Sequence, residues 1–224
     1  MNTRALVPFC STLALSSFAL LAQAQAQATV AQVFNGEMLG SSLGYFESVA
    51  GVAQASDGDT HSYRVQGCEV TATAAGGKVS ALRLALSPTC KADLSSFIGT
   101  FAPPGNEPLT FGALNRSTGG PMAFYADCLD LCGNAYDPSV YALWEGPHAV
   151  NFTQVMLEVV LAGDQAVNAA YNWRDAISKA KGDDFVVDTR FNCERTFDPA
   201  AMHHFQGVEV TAVTIGSGLS TPGC

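Results

Sequence analysis

The sequence predicts an α+β fold with a mainly antiparallel sheet, a few packed helices and disulfide staples. Three observations carry this. Apolar residues alternate with period two in short runs, Tyr63 and Val65, then Cys68, Val70 and Ala72 among them. Helix-like apolar spacing appears elsewhere, most fully at Ala166, Ala170, Trp173, Ile177 and Ala180. The chain after its leader holds six cysteines, an even number in an oxidising compartment. Half-buried alternation marks a sheet packed on one face, and hairpin-joined strands are antiparallel.

The N-terminus carries one cation, Arg4, then the apolar run LVPFCSTLALSSFALLA, then QAQAQA, with small residues where a signal peptidase reads. This is the pattern of a secretory signal peptide over residues 1–28, and cleavage fits after Ala24, Ala26 or Ala28. No other stretch approaches the roughly 20 uninterrupted apolar residues that span a bilayer. The expectation is a soluble periplasmic or extracellular protein with no membrane insertion after cleavage. Cys10 leaves with the leader.

Residues 29–215 read as one α+β domain, or as two small halves, about 29–100 and 121–215, joined by a Pro/Gly-rich loop. In GEMLGSSLGYFESVAG (36–51), Met38, Leu39, Leu43, Phe46 and Val49 have helical spacing and Gly51 ends the helix. Two alternating runs, YRVQGCEVTATA, broken at Gly67, and KVSALRLALS, joined through Gly76 and Gly77, predict a β-hairpin. DLSSFIG offers a helical turn, and the prolines of APPGNEP exclude a central strand. TQVMLEVVL (153–161) is β-branched enough to read as strand. Asp164 as N-cap and Gly182 as stop bound a long helix. FVVDTRF (185–191), a short helix near DPAAMHHF and the run VEVTAVTI (208–215) complete the domain, and 216–224 reads as a tail, flexible apart from its last residue.

The first helix and the run YRVQGCEVTATAAGGKVSALRLAL are similar to small periplasmic helix-plus-sheet modules of the SmpA/BamE and β-lactamase-inhibitor-protein type, in which a helical pair precedes a meander. The similarity covers residues 33–90, and GEMLG and VAGVA approximate the ends of the helical part. It implies a scaffold for protein contact and carries over no functional residue.

Cys68, Cys90, Cys128, Cys132, Cys193 and Cys224 allow 15 pairings. Cys68 with Cys90 would close the hairpin unit. The others pair either as Cys128 with Cys132 and Cys193 with Cys224, or as crossed links from CLDLC to Cys193 and the tail. Loop entropy favours the crossed set, because a longer loop removes more unfolded-chain freedom, roughly 3 kcal/mol for fifteen residues. CLDLC itself reads as a staple on a turn. A redox centre would need a depressed thiol pKa, which Asp127 and Asp130 oppose. Zinc on Cys128, Cys132, Cys193 and His203 or His204 lacks two close ligand pairs, so no metal and no cofactor is assigned.

Removing the leader takes away Arg4 and no acid, leaving 10 Lys and Arg against 20 Asp and Glu. That field repels phosphate backbones and anionic headgroups, which disfavours nucleic acid and suits another protein, such as a basic one, or a cationic ligand. Asp57, Asp59 and His61 lack the rest of a calcium loop, and Gly216-Ser217-Gly218 lacks the elbow of a hydrolase serine. Glu145 beside His148 in WEGPH, with the pair His203 and His204, are the candidates for acid–base chemistry, set against a solvated turn and a helix C-terminus. The balance favours a secreted or periplasmic non-enzymatic protein-binding module, an inhibitor or envelope accessory protein. Two other readings stay open: a secreted hydrolase using Glu145, His148, His203 and His204, and a metal-binding protein using the cysteines.

Overall fold

The computed structural model describes residues 28–133, 137–188 and 192–221. Residues 1–27, which hold most of the expected leader and Cys10, and Cys224 lie outside the described residues. The chain runs α1 (Val30–Val33), a 3-10 turn (Gly36–Met38) and α2 (Leu43–Ala50) into strands β1 (Ala55–Asp57), β2 (Thr60–Val65), β3 (Cys68–Ala75) and β4 (Lys78–Ala85). Next come α3 (Ser95–Ile98), α4 (Phe111–Thr118), β5 (Ala123–Ala126), β6 (Ser139–Glu145), β7 (Gln154–Val160), α5 (Asp164–Lys181), α6 (Phe185–Asp188), α7 (Asp198–Phe205) and β8 (Ala212–Gly216). The strands form an eight-stranded antiparallel sheet in the order β1-β2-β3-β4-β8-β7-β6-β5, so the last strand joins the two sequential meanders.

Local chemistry explains the first meander. Gln66 and Gly67, then Gly76 and Gly77, all have positive φ, and each pair is the two-residue loop of a tight hairpin. Such loops match the right-handed twist of the flanking strands, which fixes the register beside each turn without long-range help. The break expected at Gly67 is therefore a chain reversal, and YRVQGCEVTATA makes two strands rather than one. The single helix expected over 36–51 divides for a similar reason: Gly40 has φ 82°, and Ser42 accepts from the Tyr45 amide as N-cap of a new helix.

The long helix forms as expected over Asp164–Lys181, although Gly163 takes the N-cap position and Asp164 stands in the first turn. It buries Ala166, Ala169, Ala170, Trp173 and Ile177. Trp173 is 0% exposed and donates its indole N–H to the Phe197 carbonyl at 3.1 Å. Its ring meets Phe124 and Phe205 edge-on, and Phe111 completes this aromatic cluster. FVVDTRF opens as α6, and its residues 189–191 lie outside the described ones.

One core results. The strand residues of one parity, among them Val70, Leu84, Val213, Leu157, Ala142 and Phe124, share it with the buried residues of the helices. Residues of the other parity take no part in it, so the described helices form a single layer on one face. No helix among the described residues is long and apolar enough to cross a membrane.

Candidate interaction face and the cleft at its corner

The face left without helices is built by alternation, interrupted in β3–β4 by a bulge at Thr73 and Ala74. Thr71, Arg83, Thr214, Met156, Leu143 and Ala123 stand in register across β3, β4, β8, β7, β6 and β5. The neighbouring row holds Ala85, Ala212, Glu158, Tyr141 and Tyr125. Near the centre, Arg83 donates from Nε and Nη2 to Glu158 Oε2 at 3.1 and 2.9 Å. The pair bridges β8, where Ala212 and Thr214 are small enough to let both side chains lie across them. Tyr141 donates to Asp127 Oδ2 at 3.2 Å, and burial first, then the charges of Asp127 and Glu158, pushes its phenol up to about 12. Most side chains of the two rows are half-buried; Ala123, Leu143 and Ala212 are buried outright.

The β5 edge of this sheet is closed by side chains. An outer strand presents unpaired N–H and C=O groups that invite pairing with another chain. Here Asp198 Oδ1 accepts from the Phe124 amide at 2.9 Å, and Asn192 Nδ2 donates to the Phe124 carbonyl at 2.8 Å. Asn192 also donates to Asp198 Oδ1 and accepts from the Phe197 amide, while Arg195 Nε donates to Asp198 Oδ2 at 2.9 Å. Asn192 and Arg195 both lie in the left-handed region, at φ 62° and 61°. That conformation costs energy for residues other than glycine and is held by the surrounding bonds.

Beside this plug a cleft of about 420 Å³ opens at the β5–β6–β7 corner of the open face. Tyr125, Leu143, Glu145, Gln154, Arg195 and Leu219 are among its walls, with the edge of Trp144 behind. Gln154 Nε2 donates to Glu145 Oε1 at 2.9 Å and its Oε1 accepts from the Leu219 amide at 2.8 Å, so the segment after β8 meets the sheet at Leu219. Burial raises the Tyr125 phenol, as do the charges of Asp198 and Glu145, while Arg195 lowers it.

The residues expected to do acid–base chemistry are spread over the molecule. Glu145 ends β6 on the open face, and His148 opens the 3-10 turn His148–Val150, its ring 5.5 Å from that of Phe152. His203 and His204 stand together in the last turn of α7, in the helix layer, with ring centroids 4.9 Å apart. Burial, then the neighbouring His203, lowers the His204 pKa. Among the described residues no hydrogen bond or ion pair joins Glu145 to a histidine.

The cysteines form staples. Cys68 bonds Cys90, tying β3 to the segment after β4, as the hairpin placement anticipates. Cys128 bonds Cys132 with Cα atoms 5.6 Å apart, and Cys193 is disulfide-bonded. The crossed set favoured by loop entropy is therefore wrong for CLDLC. Entropy weighs only the unfolded chain, whereas here the turn itself, with Leu131 at φ 51° and its amide held by Asp130 Oδ1, brings the two sulfurs together. A sulfur in a disulfide offers no thiolate to a metal, and no group of three or more candidate ligands occurs among the described residues. Asp57, Asp59 and His61 sit at the exposed β1–β2 turn, where His61 Nδ1 pairs with Ser56 Oγ at 2.9 Å.

Sequence reading missed Tyr125, Tyr141, Met156, Asn192 and Arg195. The polar alternation of β7, Gln154, Met156 and Glu158 against Val155, Leu157 and Val159, was the available signal for an uncovered face. Comparison with known proteins gives no match: no protein family, no curated protein and no solved structure is detectably similar to the chain.

Proposed function

We propose that this is a secreted or periplasmic, non-enzymatic binding module that contacts another protein through the open face of its sheet. The observation that carries the reading is that face itself: a continuous surface over β3–β8 with Tyr141, Met156 and the Arg83–Glu158 pair toward its middle and Tyr125 at its β5 edge. Tyrosine, methionine and arginine are the residue types enriched where proteins meet. The rigid sheet beneath them limits the entropy lost on docking. The expected leader and the disulfides support export to an oxidising compartment. The surplus of acids supports a partner of basic character and disfavours nucleic acid.

The test is a capture experiment on an envelope or secreted extract with three baits: the native protein, Tyr141→Lys with Met156→Lys on the open face, and Lys179→Ala on the exposed helix layer. A partner retained by the native protein and by Lys179→Ala but lost by the open-face variant supports the reading. Retention by all three, or nothing above background at low and moderate salt, sinks it.

A further inference from the structure

We propose that the cleft at the β5–β6–β7 corner is a binding site for a small zwitterion, a free amino acid or a short peptide with both termini free. Its carboxylate would meet Arg195 and its ammonium Glu145. This does not depend on the open face docking a protein.

The cleft's volume of about 420 Å³ falls in the range of small-ligand sites. Its two charged walls are opposite in sign and not spent on each other: no ion pair joins Arg195 to Glu145 among the described residues. Arg195 uses Nε on Asp198, and its two terminal nitrogens find no acceptor among the described residues. A guanidinium held by one edge presents the remaining fork to a planar carboxylate, the geometry that makes arginine a carboxylate receptor. Glu145 accepts from Gln154 on Oε1, which leaves Oε2 for an ammonium donor. Gln154 is itself fixed by the Leu219 amide, so the carboxylate is oriented before anything binds.

Leu143 and Leu219 are also among the walls, and the half-buried Leu219 offers apolar surface to an aliphatic or aromatic side chain. The backbone around Arg195 tells the same way. Asn192 and Arg195 are both in the left-handed region, and the Asn192–Asp198–Phe124 bonds hold them there. Conformations of this kind persist where the surroundings over-determine them, and they gather at ligand clamps. Here they aim one cation at one cleft.

The test is a titration of the intact, oxidised protein followed by NMR chemical shifts and by calorimetry. The probes are leucine, dileucine, leucinamide without the carboxylate, and N-acetylleucine without the ammonium. The expected result is saturable binding of leucine or dileucine, on the order of 1 mM or tighter, weakened at least tenfold in both blocked compounds. Leucine binding identifies a free amino acid, and binding of dileucine alone identifies a peptide with free termini. Glu145→Gln should reduce binding of the zwitterion and leave that of N-acetylleucine unchanged. Arg195→Lys, which keeps the charge but not the fork, should weaken it further than charge alone predicts. Glu145 is exposed and tolerates substitution, so that variant carries the test even where Arg195 variants fail to fold. The proposal is overturned if no probe saturates, if the blocked compounds bind as well as the zwitterions, or if Glu145→Gln binds all four as the native protein does. A protein partner captured by the open face in that case would leave the docking reading standing alone.

Discussion

On the covered face of the sheet, Leu82, Leu84, Val155, Leu157, Val213 and Ile215 are 0% exposed and all apolar. One residue along the same strands, on the open face, stand Arg83, Met156, Glu158 and Thr214, half-buried and chemically mixed. The two faces share one backbone and one register, so their difference is a difference of task. Apolar burial on the first face supplies most of the folding free energy, at roughly 25 cal/mol per Å² removed from water. The second is released from that demand and can carry side chains chosen for contact. Substitutions should separate the two: large stability losses with no specific loss of binding on one side, and the reverse on the other.

The largest loss is expected at the aromatic cluster. Trp173→Ala removes a fully buried ring and leaves the Phe197 carbonyl without its indole donor, and should cost about 3–5 kcal/mol in urea unfolding. The staples come next. Replacing Cys68 and Cys90, 22 residues apart, by Ala should cost about 3 kcal/mol, and replacing Cys128 and Cys132, 4 apart, about 2 kcal/mol, since the entropy of closing a loop grows with the logarithm of its length. Equal losses for the two pairs would show that native-state geometry, not unfolded-chain entropy, sets their worth.

What could be read from sequence divides along a different line, local against distant. The hairpins β2–β3–β4 are specified by two-residue loops of adjacent residues, Gln66-Gly67 and Gly76-Gly77. Turn chemistry sets the register next to each loop, and a bulge at Thr73 and Ala74 then shifts it along β3–β4. By contrast β5 is four residues long, and its position at the sheet edge depends on Asn192 and Asp198 some 70 positions away. No local pattern encodes that. The strand β6 was obscured because SVYALWE is nearly continuous in apolar character, and its end at Glu145 runs into the Gly146-Pro147 turn. The cleft was illegible for the same reason. Tyr125, Glu145 and Gln154 meet through the β5–β6–β7 pairing, but Arg195 joins them only through its bond to Asp198, and Leu219 only because β8 inserts between β4 and β7.

The edge plug gives the next effect in size. Asp198→Ala removes the acceptor for the Phe124 amide, for Asn192 Nδ2 and for Arg195 Nε together. A loss of about 2–3 kcal/mol is expected, with faster hydrogen exchange at the Phe124 amide. If the plug also guards the edge, the variant should self-associate at concentrations where the native protein does not.

Tyr63 offers a contrast inside the covered face itself. It is 1% exposed, its ring packs on Phe46, and its hydroxyl has no hydrogen-bond partner. Burial, then the charge of Glu47, raises its pKa from 10.0 to about 12. An acid whose folded pKa lies above the unfolded value binds more protons folded than unfolded between the two, so stability falls as pH rises from 10 toward 12. Tyr63→Phe should abolish that fall, on the order of 2 kcal/mol, and leave stability at pH 7 unchanged or higher, because an unmade buried bond is removed with the hydroxyl. An alkaline fall that survives Tyr63→Phe would assign it to the other phenols.

The smallest stability effect should fall on the open face. Tyr141 has a half-buried ring and one hydrogen bond, to the exposed Asp127. Tyr141→Phe removes that bond and keeps the ring's packing, so a change within about 0.5 kcal/mol is expected by denaturant titration. The hydroxyl's one hydrogen is given to Asp127, so at a contact surface the same substitution removes an acceptor and leaves a partner's donor unpaired, which costs about 1 kcal/mol or more in affinity, a fivefold weakening. Measuring both quantities on one variant puts the comparison of faces to its hardest test. If Tyr141→Phe weakens folding as much as it weakens capture of the partner, the open face is only the poorly packed side of a core, and the division of labour between the two faces does not hold.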